Sequence, residues 1–344
     1  MSGQKAFPGF FIGGAAKSGT SSLHYILDHH PEIFLPDVDI MFFDLDEIDV
    51  HRGYFPRFDD EWIDQDLAAN FDLYHEWYLD FYAEADPDQL WGEDAPSYLR
   101  SQKAPARIAE CVPEAKFVFM LRDPVERIYS YYWDLYRSAE MVMDFERALR
   151  FSRPSMYAGS YYKRGLERFL AHFDREQIHI VIFQEFVDRT QVIVDEVCQF
   201  LGCEPTLDVD AVGRTHRNRS GVPPEPLIPL KLLANWARSW GPRRGTIGHL
   251  PTLEFDRLEE ARKMSWKGLL GHAIGASVDR LLGLFPDADY PEMAPETRRF
   301  LEKLMARENT GLSELIGVDV AEYWPYMEQR AAERRSRKAA EQKA

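Results

Sequence analysis

Short apolar runs alternate along the chain with segments in which apolar residues recur at helical spacing. The runs predict strands that begin at Phe10, Ile33, Leu90, Lys116 and Ile178. The run after Lys116 is apolar at every position, which is typical of a strand buried in a parallel sheet. Because strands and helices alternate throughout, the pattern predicts an α/β fold built from right-handed βαβ units.

The chain is long enough for a large domain with a sizeable core, since 45% of its 344 residues are hydrophobic. We expect one domain over residues 1–326 and a charged tail over residues 327–344. From Ser220 the composition changes: several prolines precede an apolar helix at 230–240, and a glycine-bearing apolar helix follows at 266–285. We interpret residues 220–290 as a helical lid or insert packed on the sheet domain.

A turn of small residues follows the first predicted strand, and a helix begins at about Thr20. Gly13 and Gly14 permit a sharp turn, and free N–H groups at the helix start beside Lys17 are typical of a phosphate site. The nucleoside-triphosphatase pattern G-x-x-x-x-G-K-[ST] has its lysine where this chain has Thr20, whereas Lys17 lies two residues before Gly19. The loop therefore predicts a phosphate site without the magnesium site of those enzymes. Taken alone, it also fits an ordinary glycine-containing turn.

The composition argues against several classes of protein. The three cysteines lack the spacing of a metal site, a redox motif or a disulfide framework. No apolar run approaches the roughly 20 residues that span a bilayer, and the first residues do not resemble a signal peptide. A formal net charge of −16 disfavours nucleic acid, so no nucleic-acid partner is expected.

Further segments accompany the loop in a fixed order. K-S-G-T-S-S-L at 17–23 is followed by H-P-E-I-F-L-P at 30–36, G-E-D-A-P-S-Y-L at 92–99 and F-M-L-R-D-P-V-E-R-I-Y-S-Y-Y at 119–132. In these segments the chain resembles the sulfotransferases that use 3′-phosphoadenosine 5′-phosphosulfate (PAPS), in their bacterial and heparan-sulfate branch. The resemblance implies a P-loop-like central parallel sheet flanked by helices, to which this sequence adds a helical C-terminal appendage.

The resemblance also implies a nucleotide site. Lys17 matches the family's catalytic lysine, which acts on the leaving 5′-phosphate oxygen. That phosphate would be held by N–H and hydroxyl groups of Ser18, Gly19, Thr20, Ser21 and Ser22. Arg122 and Ser130 match the residues that bind the 3′-phosphate, and their separation of eight positions, about two helical turns, lets both face one crevice. The product would be 3′-phosphoadenosine 5′-phosphate (PAP), and no metal is implied.

The acceptor side departs from the family pattern. Family members commonly have K-E-x-x-F-F with the glutamate as general base, where this chain has Val38 and Asp39. The lysine of the later G-E-K-x-P-S-Y block is Asp94 here, which also fits a plain turn residue. We expect Asp39 to be the catalytic base, although its carboxylate reaches about one methylene less far than that of a glutamate. His24 is expected on the solvent side of the first helix.

Several charged segments have two interpretations each. Residues 37–66 are acidic and either border the acceptor site or form a solvated loop. In the first case, neutral or cationic hydroxyl acceptors should be favoured over heparan-type polyanions. The basic loop at 213–221 offers Arg214 and Arg219 as candidates for phosphate contact, although surface arginines are common. Asp123 and Arg127 are interpreted as a structural ion pair.

We therefore predict an enzyme that moves a sulfonate group from PAPS to a hydroxyl of a carbohydrate-containing or small-molecule acceptor without a metal. The alternatives are a non-catalytic PAP- or PAPS-binding protein, favoured by the changes at Val38 and Asp94, and a P-loop kinase, which a Mg²⁺ requirement would favour. The acceptor is expected to be a small molecule, a glycan or a glycolipid presented to the C-terminal helices, with peripheral membrane contact. The resemblance points to a bacterial, cytoplasmic protein.

Overall fold

The computed structural model describes residues 7–51, 54–55, 57–58, 61–62, 65–151, 156–213, 221–240 and 266–327. Its strands are β1 (Phe10–Gly14), β2 (Ile33–Phe34), β3 (Arg57–Phe58), β4 (Glu61–Trp62), β5 (Leu90–Asp94), β6 (Lys116–Leu121) and β7 (Ile178–Ile182). A parallel sheet has the strand order β2-β5-β1-β6-β7, and β3 and β4 form a separate antiparallel pair. Each of the five strands predicted from the sequence belongs to the parallel sheet.

Helices connect these strands and cover both faces of the sheet. They are α1 (Thr20–Leu27), α2 (Phe71–Asp80), α3 (Ala104–Cys111), α4 (Pro124–Arg137), α5 (Phe145–Phe151), α6 (Tyr162–Leu170), α7 (Phe183–Asp188), α8 (Thr190–Leu201), α9 (Val209–Val212), α10 (Ile228–Arg238), α11 (Trp266–Leu282), α12 (Pro295–Glu308) and α13 (Leu312–Ile316). The predicted α/β class is confirmed. None of the helices in the described ranges is long and apolar enough to cross a membrane.

The core lies on both sides of the sheet, because successive residues of a strand point to opposite faces. Phe11, Phe117 and Phe119 pack on one side with residues of α3, α6 and α13. Ile12 and Met120 pack on the other side with residues of α1 and α8. Since the central strands are buried on both faces, they present functional groups only where they end.

The helix α4 begins directly after β6. Asp123 accepts hydrogen bonds from the backbone N–H groups of Val125 at 2.8 Å and Glu126 at 3.2 Å, and so caps the helix. Arg127 is buried and donates from Nε to Ser160 Oγ at 2.5 Å. The predicted ion pair between Asp123 and Arg127 is therefore wrong: each residue satisfies its polar groups elsewhere.

The C-terminal helices α10 and α11 pack against each other. A Cβ added to Gly271 would stand 2.0 Å from the carbonyl oxygen of Ala237, so the two backbones approach closely. Asp279 forms ion pairs with Lys231, at 2.7 Å, and with Arg238. The two helices α10 and α11 correspond to the helical appendage predicted from the sequence. Residues 241–265 of the expected insert and 328–344 of the expected tail lie outside the described residues, and a single domain over residues 1–326 stays a prediction.

Candidate active site

The segment between β1 and α1 turns sharply at the carboxyl end of the sheet. Gly14, Lys17 and Gly19 have left-handed backbone conformations, with φ angles of 126°, 69° and 94°. A Cβ added to Gly14 would stand 2.9 Å from the carbonyl oxygen of Pro96, and one added to Gly19 would stand 2.9 Å from the ring of Phe183. Both positions therefore need glycine, because the φ angle is positive and a Cβ would collide with neighbouring atoms. The two glycines allow the backbone to form a tight loop.

A cleft of about 610 Å³ opens beside this loop. Most of the residues predicted from the sequence line it: Lys17, Gly19, Thr20, Ser21, Ser22, Asp39, Arg122 and Ser130. Ser18 does not, because it is fully buried behind the lining. Arg214 and Arg219 lie outside the described residues. The lining also includes residues that the sequence analysis missed, among them Asp134, Phe183 and Tyr290.

Lys17 forms an ion pair with a carboxylate of α4. Its Nζ lies 2.8 Å from Asp134 Oδ1, and Asp134 also accepts a hydrogen bond from Arg137 at 3.0 Å. Asp134 follows Ser130 by four residues, so both side chains lie on the helix face that lines the cleft. This helical spacing is the signal from which Asp134 could have been found in the sequence.

Two arginines contact the same loop. The guanidinium of Arg122 stands 5.1 Å from the centre of the Phe183 ring, and its Nη1 donates to the Lys17 carbonyl oxygen at 3.4 Å. Arg127 donates to the Ala16 carbonyl oxygen at 3.4 Å from within the protein. Arg122 is thus held at the cleft wall, and a guanidinium has several further N–H donors for an anionic ligand.

Asp39 borders the cleft next to a buried pair of ionisable side chains. His24 Nδ1 lies 3.4 Å from Asp94 Oδ2, and both side chains are almost fully buried. The predicted solvent position of His24 is wrong, because α1 packs against the end of β5, where Asp94 is the last residue. Asp94 is accordingly a buried partner of His24 rather than a plain turn residue.

These three groups change one another's proton affinity. Asp39 is exposed toward the open cleft, yet reduced hydration by the surrounding protein and the charge of Asp94 raise its pKa to about 7, against the opposing charge of His24. Burial raises the pKa of Asp94, although the hydrogen bond with His24 opposes it. Burial lowers the pKa of His24, but the hydrogen bond and charge of Asp94 outweigh it, so the net shift is upward. A carboxyl that titrates near neutral pH in a cleft is typical of a catalytic base.

A buried carboxyl fixes the segment that follows Asp39. Glu93 Oε1 accepts hydrogen bonds from the backbone N–H of Met41 at 2.9 Å and from the hydroxyl of Tyr98 at 2.8 Å. Its Oε2 accepts from the hydroxyl of Tyr78 at 2.6 Å. Burial raises the pKa of Glu93 to about 7, although the tyrosine hydroxyls oppose the rise. These contacts join β5 to the residues after Asp39 and hold the segment that carries Asp39 at the cleft.

The acidic segment at 37–66 is partly internal. Asp44 Oδ1 lies 2.7 Å from His51 Nε2. Asp46 accepts from the two Nη atoms of Arg107 at 2.6 and 2.8 Å, and Glu47 is buried as well. The interpretation as a solvated loop is wrong for these three carboxylates, because they are buried and form hydrogen bonds within the fold. Less negative charge faces an acceptor, which weakens the expected preference for neutral or cationic acceptors.

The arrangement can be compared with known proteins. A sequence profile of the sulfotransferase family matches residues 8–207. Human bifunctional heparan sulfate N-deacetylase/N-sulfotransferase 2 is 24% identical over 328 residues, which cover 90% of this chain and 29% of that protein. Human heparan sulfate glucosamine 3-O-sulfotransferase 3B1 is 29% identical over 211 residues, which cover 58% of this chain and 47% of that protein. The chain therefore spans less than half the length of either relative.

A solved structure is similar over nearly the whole chain. The sulfotransferase from Alicyclobacillus acidocaldarius aligns with a TM-score of 0.59 and 22% identity, covering 93% of this chain and 99% of that one. This likeness shows the fold, which agrees with the P-loop-like architecture predicted from the sequence. The profile match includes the loop, Asp39, Arg122 and Ser130 and extends over more than half of the chain. By this match the chain belongs to the sulfotransferase family, as its sequence motifs predicted.

Proposed function

We propose that this chain transfers the sulfonate group of PAPS to a hydroxyl of a carbohydrate-containing or small-molecule acceptor by in-line displacement. The observation that carries the proposal is a single cleft lined by the Lys17 loop, by Arg122 with Ser130, and by Asp39. Such a cleft supplies two positions for phosphate groups and one carboxylate for an acceptor hydroxyl. Positioning, charge neutralisation and a base are what this reaction needs.

The residues of the cleft fit PAPS as the donor. Gly14 and Gly19 let the loop pack closely against Pro96 and Phe183, and the backbone N–H groups at the start of α1 are suited to bind a phosphate. Arg122 and Ser130 offer a guanidinium and a hydroxyl for a second phosphate. The described residues contain no group of three or more His, Cys, Asp or Glu side chains that could hold a metal ion. The reaction that we propose uses no metal ion.

Each side chain has a defined task in the proposed reaction. Asp39 accepts the proton of the acceptor hydroxyl as the hydroxyl oxygen forms its bond to sulfur. The bond between sulfur and the bridging oxygen of the 5′-phosphate breaks, and its electron pair stays on that oxygen as PAP leaves. Lys17 neutralises the charge that develops there. Glu93 acts as a positioning residue, since it holds the segment that carries Asp39.

Ligand-induced stabilisation tests the nucleotide assignment. PAP, at a concentration of 100 times its Kd, should add about 2.7 kcal/mol to the free energy of unfolding. AMP should stabilise far less, because it lacks the 3′-phosphate that Arg122 and Ser130 would bind. A thermal-shift series with PAP, PAPS, AMP and ATP measures the difference.

Equal shifts with PAP and AMP would contradict the 3′-phosphate site, and stabilisation only by ATP with Mg²⁺ would favour the kinase alternative. Ser130→Ala is a suitable control variant, since it should reduce the PAP shift and leave the AMP shift unchanged. Labelled PAPS in an acceptor screen then separates an enzyme from a non-catalytic binder. Tight PAP binding without transfer to any acceptor would support the binder.

The pKa of Asp39 predicts the pH dependence of transfer. Asp39 must be deprotonated to accept a proton, and its pKa is raised to about 7. The value of kcat/KM should therefore fall about tenfold per pH unit below pH 7 and level off above it. A pH–rate profile with saturating donor measures the midpoint.

The charge of His24 opposes the rise in the pKa of Asp39, so His24→Gln should move this midpoint to higher pH. A midpoint near 4, about the value of an ordinary aspartate, would contradict the assignment of the base. A profile that His24→Gln leaves unchanged would show that His24 does not act on the base.

For the acceptor we propose only a chemical class, and for the cellular location only a compartment. The names of the curated relatives refer to heparan sulfate, which supports a carbohydrate acceptor. Cys111, Cys198 and Cys203 are free thiols, and thiols persist in reducing compartments, which supports a cytoplasmic location. A bacterial origin stays a prediction from the sequence.

A further inference from the structure

The pair of helices α10 and α11 carries large apolar side chains on its outer surface. Among those that are at least about one-third exposed are Leu233, Trp236, Trp240, Trp266, Leu269 and Leu270. Trp266 is 69% exposed and Trp236 is 49% exposed. The rings of Trp236 and Trp240 meet edge to face with their centres 4.8 Å apart. A group of exposed aromatic and aliphatic side chains on adjacent helices marks an interaction surface, which we call the hairpin face.

The hairpin face is separate from the contact that joins the two helices. Leu233, Trp236 and Trp240 recur at intervals of three and four residues, which places them on one side of the helical segment. The inner side of the pair is formed by small residues: Ala234 and Ala237 of α10, and Gly268, Gly271 and Gly275 of α11. The large apolar side chains are therefore largely separate from this contact, although Trp240 approaches it, with its Cβ 3.5 Å from a Cβ added to Gly271.

The charge of the pair is opposite to that of the whole protein. Its described residues include four basic side chains, Lys231, Arg238, Lys267 and Arg280, and a single aspartate, Asp279. Lys231 and Arg238 are bound to Asp279, whereas Lys267 and Arg280 are exposed. The ammonium of Lys267 lies 5.8 Å from the centre of the Trp266 ring. The whole chain has a formal net charge of −16, so its excess of acidic residues lies outside these two helices.

We propose that the hairpin face docks on the surface of an anionic lipid bilayer. Tryptophan and leucine side chains enter the boundary between headgroups and acyl chains, and Lys267 and Arg280 approach anionic headgroups. The acidic remainder of the protein is repelled by the same surface, which orients the molecule with the hairpin face toward the lipid. A second copy of this chain is a poorer occupant, because a symmetric contact would place basic residues opposite basic residues.

Docking in this orientation has a geometric link to the cleft. Tyr290, which lines the cleft, follows the last residue of α11 by only eight positions. Tyr290 stacks on Trp133 of α4 with ring centres 5.2 Å apart, and Ala288 pairs with Val222 just before α10. The chain thus connects the hairpin face to the cleft wall through a short, anchored segment.

Co-sedimentation with lipid vesicles tests the proposal without any assay of transfer. The full chain should bind vesicles that contain phosphatidylglycerol and should bind pure phosphatidylcholine vesicles at least about tenfold more weakly. Added salt should reduce binding to the anionic vesicles. Trp236→Ser combined with Trp266→Ser should weaken binding by about tenfold or more, because two aromatic insertions are lost. Lys267→Glu should weaken binding to anionic vesicles selectively.

Phe300→Ser on α12 is the matched control, since Phe300 is 50% exposed but lies outside the hairpin face. This variant should bind vesicles like the unchanged protein, and all variants should keep the thermal unfolding midpoint. Binding to neither vesicle would overturn the proposal, as would binding that the double tryptophan variant retains. Self-association that the tryptophan substitutions abolish, without vesicle binding, would overturn it in favour of a second copy.

Discussion

Lys17→Ala should lower kcat by about a hundredfold or more and change the affinity for PAP far less. Lys17 Nζ lies 2.8 Å from Asp134 Oδ1, so a phosphate group can pair with Lys17 only by displacing this carboxylate. This exchange keeps the net contribution of Lys17 to ground-state binding small. The contribution grows when charge develops on the leaving oxygen, because a stronger charge competes better with Asp134. Single-turnover transfer from labelled PAPS and calorimetric titration with PAP measure the two effects.

Arg122→Ala is the matched comparison, and it should lower the affinity for PAP more than it lowers kcat. Arg122 is held at the cleft wall by the Phe183 ring and the Lys17 carbonyl oxygen. Within the described residues, it forms no ion pair with a carboxylate. Its guanidinium therefore binds a phosphate with little exchange of partners, so its loss should reduce PAP affinity most. A Lys17→Ala variant with near-normal kcat would contradict the role of Lys17. Equal losses of affinity and rate would contradict the exchange with Asp134.

Asp39→Asn should abolish measurable transfer and leave PAP binding intact. General-base catalysis contributes about a hundredfold to ten-thousandfold, and an asparagine of nearly the same size cannot accept the proton. Its position at the cleft and a pKa raised to about 7 make Asp39 the described carboxyl best suited to this task. Initial rates with saturating PAPS, together with a PAP titration of the same variant, measure both expectations.

Asp37→Asn serves as the matched control for Asp39→Asn. Asp37 is an exposed carboxylate two residues before Asp39 and is not part of the cleft lining. Its substitution removes the same charge from the same segment, so transfer should continue at nearly the unchanged rate. Full activity in Asp39→Asn would contradict the role of Asp39 as the catalytic base. Comparable losses in both variants would show that the charge of the segment matters rather than the proton acceptor.

The parts of the site that local sequence determines could be predicted. The apolar run, the glycines and the hydroxyl residues from Phe10 to Ser22 lie together because they are consecutive in the chain. Arg122 and Ser130 are fixed relative to each other by the end of a strand and two turns of a helix. The five strands of the sheet could likewise be predicted, since each contains a short apolar segment, and that of β6 is continuous from Phe117 to Leu121.

The remaining parts depend on contacts between distant residues. Asp134 meets Lys17 across 117 positions, and only the packing of α4 beside the loop brings them together. The apolar residues of α1 mark one face of the helix and predict a solvent position for His24, but the end of β5 provides a second buried environment. Asp44, Asp46 and Glu47 form hydrogen bonds with side chains that no local pattern identifies.

The ion pair between Lys17 and Asp134 also affects which anions can bind in the cleft. An inorganic phosphate or sulfate ion at the loop must draw Lys17 away from Asp134 with the contacts of the loop alone. A ligand that also reaches Arg122 and Ser130 makes additional contacts that offset the broken ion pair. We therefore expect the protein to discriminate by the number of phosphate groups rather than by charge alone, so that abundant small anions compete poorly for its loop.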